Sequence, residues 1–272
     1  MAQIIYMNNK FKNTIFLLDA DGTITDLQTK KPNPTIIEKL AVLVKKQTKI
    51  AIITGRSLDW VKEVIIKELA KKVGNEASRI VLICEFGAVE EYKNKIGETI
   101  TYEEKKLFID PEIFKKLVKL ASGYKKSMFV ATEKRSMFTV EMKDNYPFNE
   151  FIRDRDSLLE EIKKEFKEAP DSNLIFRPSS IALDIRNEKL DKHFATPKAI
   201  QLLGSNKDAK YIVVGDNVFD FEMAEEAYKV GKDTVFVYVG MDKLDEKVDF
   251  PIYISKEKYT DGFVEFLNEY DY

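Results

Sequence analysis

Histidine and cysteine are almost missing from this chain, with one of each, His193 and Cys84, among 272 residues. A single cysteine excludes an intramolecular disulfide and fits a reducing compartment. A single histidine excludes a multi-histidine metal site and weighs against a serine–histidine–aspartate hydrolase. Nowhere do 18 apolar residues run together, so no segment reads as a membrane-spanning helix. The opening residues MAQIIYMNNKFKN lack the apolar core and small-residue cleavage site of a signal peptide, and a cytoplasmic chain is expected. An excess of either charge is also missing: Lys+Arg 44 against Asp+Glu 46 leaves a net charge of −2. No stretch is basic enough to follow a phosphate backbone, so neither nucleic acid nor membrane is an expected partner. The oligomeric state is not legible. Carboxylates remain to carry any metal and acid–base chemistry.

Apolar residues make up 44% of the chain, including 18 Phe and 12 Tyr, enough for one core with a large insertion or for two domains. Ile15-Phe16-Leu17-Leu18 reads as a strand buried on both faces, as do Lys49–Ile53 and Ile80–Ile83. Helical spacing separates them, at Ile36, Ile37, Leu40, Leu43 and Val44, and again at Val61, Val64, Ile65 and Leu69. The alternation implies βαβ units and a parallel sheet. After Gly87 the period changes. Residues 111–121 read as a helix, Met128–Ala131 and Met137–Met142 as two strands. Residues 156–167 then read as an amphipathic helix capped by Asp156 or Ser157, with Leu174–Phe176 and Ile181–Ile185 as two more strands. The parallel pattern resumes with a helix expected from Pro197, capped by Thr196. Strands at Tyr211–Val214 and Thr234–Val239 alternate with helices at 220–230 and 260–269. The fold class is therefore α/β: a Rossmann-like parallel-sheet core of residues 1–87 and 187–272, interrupted by an α+β cap domain over 88–186.

Three buried strands of the core end in residues suited to one chemistry. Asp19-Ala20-Asp21-Gly22-Thr23 follows the first. Ligands of open parallel sheets bind beyond the carboxyl ends of the strands, which places Asp19 at the mouth of a site. A carboxylate there can attack a phosphoryl group and split hydrolysis into two easier displacements. A cation must neutralise the oxygens that gather, and a second carboxylate, Asp21, is placed to protonate the leaving oxygen and then to deprotonate water. The plainer alternative is a strand followed by an Asp-Gly turn. Thr54-Gly55-Arg56 ends the second strand, where a hydroxyl and backbone N–H groups can hold a phosphate oxygen, although a helix cap by Thr54 or Ser57 explains it equally simply. Gly215-Asp216-Asn217-Val218-Phe219-Asp220 ends a further strand and brings more carboxylate to the same edge, completing an oxygen-rich magnesium site. Separate turns explain poorly why Asp19, Asp21 and Asp216 should all reach one edge.

In order and spacing these segments resemble the haloacid dehalogenase superfamily of phosphohydrolases, over a core of about two thirds of the chain. The resemblance implies a nucleophile at Asp19, a general acid/base at Asp21, and phosphate contacts from Thr54 and a lysine. Magnesium would be held by Asp19, the backbone carbonyl of Asp21 and Asp216, with Asp220 in support. Lys192, 24 residues before Asp216, is favoured over Lys198 as the lysine on reach and spacing. The inserted unit is similar to the large cap of the branch containing trehalose-phosphate phosphatases, sucrose-phosphate phosphatases and phosphomannomutases, which closes over phosphorylated sugars. The substrate-binding set this implies is Gly55, Arg56, Asn217, Glu133 and Arg177, with Ser179 and Ser180 beside the last. Glu133 lies in a Glu-Lys-Arg-Ser segment similar to the sugar-gripping cap segment of the trehalose-phosphate enzymes.

Two residues depart from that branch. Phe86 stands where Asn or His is usual, and Phe219 where Asn or Thr is common. Neither can hydrogen-bond a substrate, so the exact substrate stays open. Two alternatives to a phosphatase remain at this point: a phosphomutase of the same family, and a sugar-phosphate-binding protein on a degenerate version of the fold. The retention of Asp19, Asp21, Thr54 and Asp216 disfavours the second. His193 reads as a surface residue and Trp60 as packing.

Overall fold

Residues 13–166, 173–204, 207–244 and 248–270 are described in a computed structural model of the chain. The chain divides into two compact units, one built from its two ends, up to Glu103 and from Asp191, and a smaller one of Glu104–Leu190. The larger unit carries an eight-stranded sheet. Its strands are β1 (Thr14–Leu18), β2 (Lys49–Ile53), β3 (Val81–Cys84), β4 (Val89–Lys93) and β5 (Thr99–Glu103), followed after the smaller unit by β10 (Lys210–Gly215), β11 (Thr234–Tyr238) and β12 (Ile252–Ile254). Their order is β12-β11-β10-β1-β2-β3-β4-β5, with every pair from β12 to β3 parallel. All five residues of β1 are buried, the expected consequence of helices on both faces of a parallel sheet. On one face Ile15 and Leu17 join a core with Ala195, Ala199 and Phe221 from the helices Lys192–Leu202 and Phe221–Val230. On the other, Phe16 meets Tyr270 of the closing helix Tyr259–Tyr270 edge-on, ring centroids 6.4 Å apart.

The chain runs from β1 outward through β2 and β3, and then returns to β10 on the opposite side of β1. The gap between β1 and β10 is therefore the place where strand order reverses, the position at which open α/β sheets bind their ligands. Register makes the edge level: Leu18 pairs with Ile52 on one side and Val214 on the other. Asp19, Thr54 and Asp216 thus emerge within a residue or two of one another's level.

The smaller unit is an antiparallel sheet of β6 (Met128–Val130), β7 (Phe138–Met142), β8 (Leu174–Pro178) and β9 (Ala182–Asn187), in the order β6-β7-β9-β8. The helices Pro111–Ala121 and Phe148–Glu165 supply its core, where Leu117, Phe151, Leu158 and Ile162 pack with Phe138, Val140, Leu183 and Ile185. The fold class is α/β with this separate α+β unit, as the change of hydrophobic period implies. Among the described residues no helix is long and apolar enough to cross a membrane.

Four expectations change. The unit boundaries fall at 103/104 and 190/191 rather than 87/88 and 186/187. β4 turns back antiparallel onto β3, and β5 onto β4, so residues 89–103 extend the core sheet. At the other boundary Glu188 N–H donates to the Asn173 carbonyl and Leu190 is buried, which ties 187–190 to β8 and β9. β4 (VEEYK), β5 (TITYE) and the three-residue β12 are not among the expected strands, because none is a fully buried apolar run. The helix expected over 156–167 begins at Phe148; Phe151 lies one heptad before Leu158 and carries the apolar face upstream, so Asp156 and Ser157 are interior rather than caps. Residue 167 lies outside the described residues.

The last correction matters most for the site. The helix expected from Pro197 begins at Lys192, with Asp191 as its cap accepting from Phe194 N at 2.7 Å. Thr196 is not a cap; its hydroxyl donates to the Lys192 carbonyl at 2.7 Å. Pro197 therefore sits inside the helix, exposed, where it offers no N–H to the His193 carbonyl. Moving the start to Lys192 puts Lys192, Ala195 and Ala199 on the buried face, and Lys198 on another. Because Pro197 buries nothing, Pro197→Ala is expected to stabilise the larger unit by about 1–2 kcal/mol, the helix gain less the loss of a restrained unfolded chain. Urea midpoints check this, and a lower midpoint for the alanine variant refutes it.

Candidate active site

Lys192 is the second basic group of interest by sequence position but the first by geometry. Its Nζ lies 2.5 Å from Asp19 Oδ1, 2.6 Å from the Ile53 carbonyl and 3.2 Å from Asp220 Oδ1. Burial works against its charge, but Asp19 and Asp220 outweigh that and hold the ammonium above the usual lysine range. Lys198 goes elsewhere: its Nζ reaches Glu90 Oε1 at 2.5 Å and the Gly87 carbonyl at 3.0 Å, over the Phe194 ring. One turn and a half of helix separates the two lysines, so only the one on the sheet-facing side meets Asp19.

Asp19, Asp216 and Asp220 bring carboxylate oxygens within 4.8 Å of one another. Asp220 is fully buried and performs a second task, closing the turn after β10 by accepting from Asp216 N at 3.0 Å and Asn217 N at 3.2 Å. Asn217 caps the same turn and donates its side-chain amide to Asp216 Oδ1 at 3.0 Å. Burial first, then the neighbouring Asp220, pushes Asp216 up to about 7. Asp19 is raised well above the carboxylate range by burial, with Lys192 opposing and Asp220, Asp216 and Asp21 adding to the rise. Three carboxylates facing one ammonium are short of positive charge, and a bound cation would reverse these shifts. The donors are all oxygen, which suits a hard ion such as magnesium. Gly22, at φ +71°, lets the loop backbone approach: a Cβ there would stand 2.4 Å from Asp216 Oδ2.

Asp21 is not in that carboxylate cluster. Its two oxygens face Arg56, Oδ2 to Nε at 2.8 Å and Oδ1 to Nη2 at 3.0 Å. Thr54 is buried at the end of β2, and its hydroxyl accepts from Arg56 N at 3.2 Å. The cap of the helix that follows (Leu58–Val61) is Ser57, which accepts from Trp60 N, so Thr54 has no capping duty. Trp60 underlies the Arg56 guanidinium, 4.7 Å from its ring centroid. His193 is partly exposed and pairs with Glu226 at 3.0 Å. Glu133 and Arg177 are exposed on the smaller unit, while their neighbour Lys134 is buried beside Asp184 at 3.5 Å. Residue-type reasoning missed the Ile53 carbonyl that holds Lys192, since a backbone acceptor leaves no trace in side-chain identity. It also missed Asp191, although an aspartate before a helical run is a legible cap.

With this geometry in view, the model of the haloacid dehalogenase-like hydrolase family matches residues 16–151 and, in an overlapping second match, 90–267. The chain belongs to the haloacid dehalogenase-like hydrolases. Solved structures similar to it include the C-terminal domain of trehalose-6-phosphate phosphatase from C. albicans, at 16% identity, covering 98% of this chain and 96% of that one with a TM-score of 0.68. A haloacid dehalogenase-like hydrolase from Bacteroides thetaiotaomicron gives 15% identity, coverage of 95% and 99%, and a TM-score of 0.66. Sucrose-phosphatase from Synechocystis, solved with sucrose and phosphate, gives 16%, coverage of 95% and 98%, and 0.56. At these identities the likeness is one of fold. A search of curated proteins finds no match.

Of the two residues that differ from the sugar-phosphate branch, Phe86 is also strained. Glu85 and Phe86 adopt φ of +48° and +55°, left-handed values that a bulky side chain rarely takes. Two hydrogen bonds fasten this turn to the Thr54–Arg56 loop, Glu85 N to the Arg56 carbonyl and Phe86 N to the Thr54 carbonyl, both at 3.0 Å. The Phe86 ring lies over Gly55, where a Cβ would meet its carbons at 2.6 Å. Gly55→Ala is therefore expected to destabilise by about 1–3 kcal/mol, through overpacking. Phe86→Ala in the same chain should recover part of that loss, giving a coupling of at least about 0.5 kcal/mol. Denaturant midpoints of the wild type, the two single variants and the double variant provide the check; purely additive losses would show that the two residues do not meet.

Proposed function

We propose that this chain is a magnesium-dependent phosphohydrolase that acts through an aspartyl-phosphate on Asp19, with a phosphorylated sugar or related small metabolite as substrate. The observation that carries the reading is the buried Asp19 carboxylate, 2.5 Å from Lys192 Nζ at the switch point of the sheet, with Asp216 and Asp220 beside it. Asp19 attacks phosphorus and the ester P–O bond breaks, while Asp21, protonated, gives its proton to the leaving oxygen. Water then attacks the aspartyl-phosphate, loses its proton to Asp21, and releases phosphate and free Asp19. Lys192 and the Thr54 hydroxyl, with the backbone N–H of Gly55, offset charge on the phosphoryl oxygens. Asp19, the Asp21 carbonyl and Asp216 hold magnesium, with Asp220 supporting, and Asn217 steadies Asp216. Magnesium, when bound, neutralises the charge that otherwise keeps an anionic nucleophile from an anionic substrate.

Support for the sugar-phosphate class comes from the fold shared with the trehalose- and sucrose-phosphate enzymes across nearly the whole chain, smaller unit included. On this reading Glu133 and Arg177 recognise the substrate beyond its phosphate.

A panel of phosphorylated metabolites assayed by phosphate release tests the reaction. Turnover should require magnesium, disappear in chelator, and be lost in a folded Asp19→Asn, whose amide is a poor nucleophile. Near-wild-type turnover by that variant, or full activity in metal-free protein, would refute the mechanism. Substrate class is read from a ratio of kcat/KM, the best sugar phosphate over p-nitrophenyl phosphate. Glu133→Ala and Arg177→Ala should lower it, because remote binding energy serves only the larger substrate; an unchanged ratio in both removes these residues from recognition.

A further inference from the structure

We infer that Arg56 is a positioning residue that holds the carboxylate of Asp21, rather than a substrate-binding residue as its place in Thr54-Gly55-Arg56 suggests. The inference rests on the reading of Asp21 as the group that moves the proton, and the two-oxygen clamp belongs to its charged form, which takes the proton of water; protonating one oxygen leaves the guanidinium bonded to the other. Both oxygens of Asp21 are taken by one edge of the guanidinium, Nε to Oδ2 at 2.8 Å and Nη2 to Oδ1 at 3.0 Å. Two parallel N–H···O bonds fix the plane of a carboxylate as well as its position, which a single contact or a lysine ammonium does not. A guanidinium that already spends this fork on Asp21 does not have it available for a phosphate oxygen pair.

Arg56 is itself held at both ends. Its N–H donates to the Thr54 hydroxyl at 3.2 Å, and its carbonyl accepts from Glu85 N at 3.0 Å. At the tip, Trp60 lies beneath the guanidinium with 4.7 Å between Cζ and the ring centroid. The Arg56 side chain keeps only 13% of its exposure, so it has little room to swing toward a ligand. Asp21 sits outside β1, in a loop joined by isolated bridges from Asp21 to Thr25 and from Thr25 to Pro32, and 29% of its side chain is open to solvent. For a group that moves a proton, a displacement on the order of 1 Å costs about 100-fold in rate. Arg56 thus ties the Asp21 carboxylate to β2 and to the helix after it.

The test is a kinetic double-mutant cycle in the full chain. Arg56→Ala should lower kcat on the best alkyl phosphate by about 10- to 100-fold with KM within about threefold of wild type. Arg56→Lys should recover little, since one ammonium cannot engage both oxygens, and added guanidinium ion should partly rescue Arg56→Ala. In an Asp21→Asn background, Arg56→Ala should cost little more. A substrate-binding Arg56 predicts the reverse, a KM raised at least as much as kcat falls and a full additional loss in Asp21→Asn, and that result overturns the inference. A crystal structure of Arg56→Ala separates this failure from failure of the phosphatase reading, because it needs no turnover. Asp21 in an altered or multiply occupied rotamer supports the clamp, whereas an unmoved, single-rotamer Asp21 overturns it.

Discussion

A lysine ammonium and two aspartates shut away from water lose several kcal/mol of hydration each, and the arrangement survives only where contacts inside replace the solvent. Here Lys192 meets Asp19, Asp220 and the Ile53 carbonyl at once. Those contacts tie together the ends of β1, β2 and the turn after β10 with the first turn of the helix Lys192–Leu202. The strands on either side of the switch point are therefore fastened to one another through charge as well as through their ladders. Asp220 joins this knot to local structure, because the same carboxylate that faces Lys192 also closes the turn carrying Asp216.

The knot is electrostatically incomplete by design of its composition: acidic groups outnumber the basic one. Burial drives Asp216 and Asp19 toward protonation, while the nucleophilic role proposed for Asp19 requires the opposite. A divalent cation bound among them would resolve the conflict, drawing the carboxylates into their charged form beside Lys192. Metal affinity, nucleophile charge and the stability of the strand ends are in this way one problem rather than three.

The strained turn at Glu85 and Phe86 bears on the same edge. Positive φ at two successive non-glycine residues costs on the order of 1–2 kcal/mol each, sustained because the backbone is bonded on both sides to the Thr54–Arg56 loop. Phe86 holds Gly55 down, and Gly55 separates the buried Thr54 from Arg56. The departure from the sugar-phosphate branch thus has a structural consequence besides the loss of a hydrogen-bonding side chain.

The amino-acid sequence by itself determined the parallel core, the separate α+β unit and the acidic ends of β1 and β10. Buried strands on both faces need continuous apolar runs, and a DxDGT after such a run leaves few other readings. What the sequence left open follows from the same logic. β5 is polar and half-exposed, so its pairing comes from β4 rather than from any pattern of its own. The start of the helix at Lys192 was masked by Pro197, a residue that more often opens a helix than interrupts one. That five-residue displacement of the start is what blurred the choice between Lys192 and Lys198, since helical phase, not distance along the chain, decides which of them faces Asp19. Arg56 shows the limit most clearly: its neighbours in sequence suggest phosphate, but its partner, Asp21, lies 35 residues away and is reached only because β1 and β2 lie side by side in one sheet. Side-chain identity states which contacts a residue is able to make; only the register of parallel strands and the phase of the helices above them decide which contacts are made.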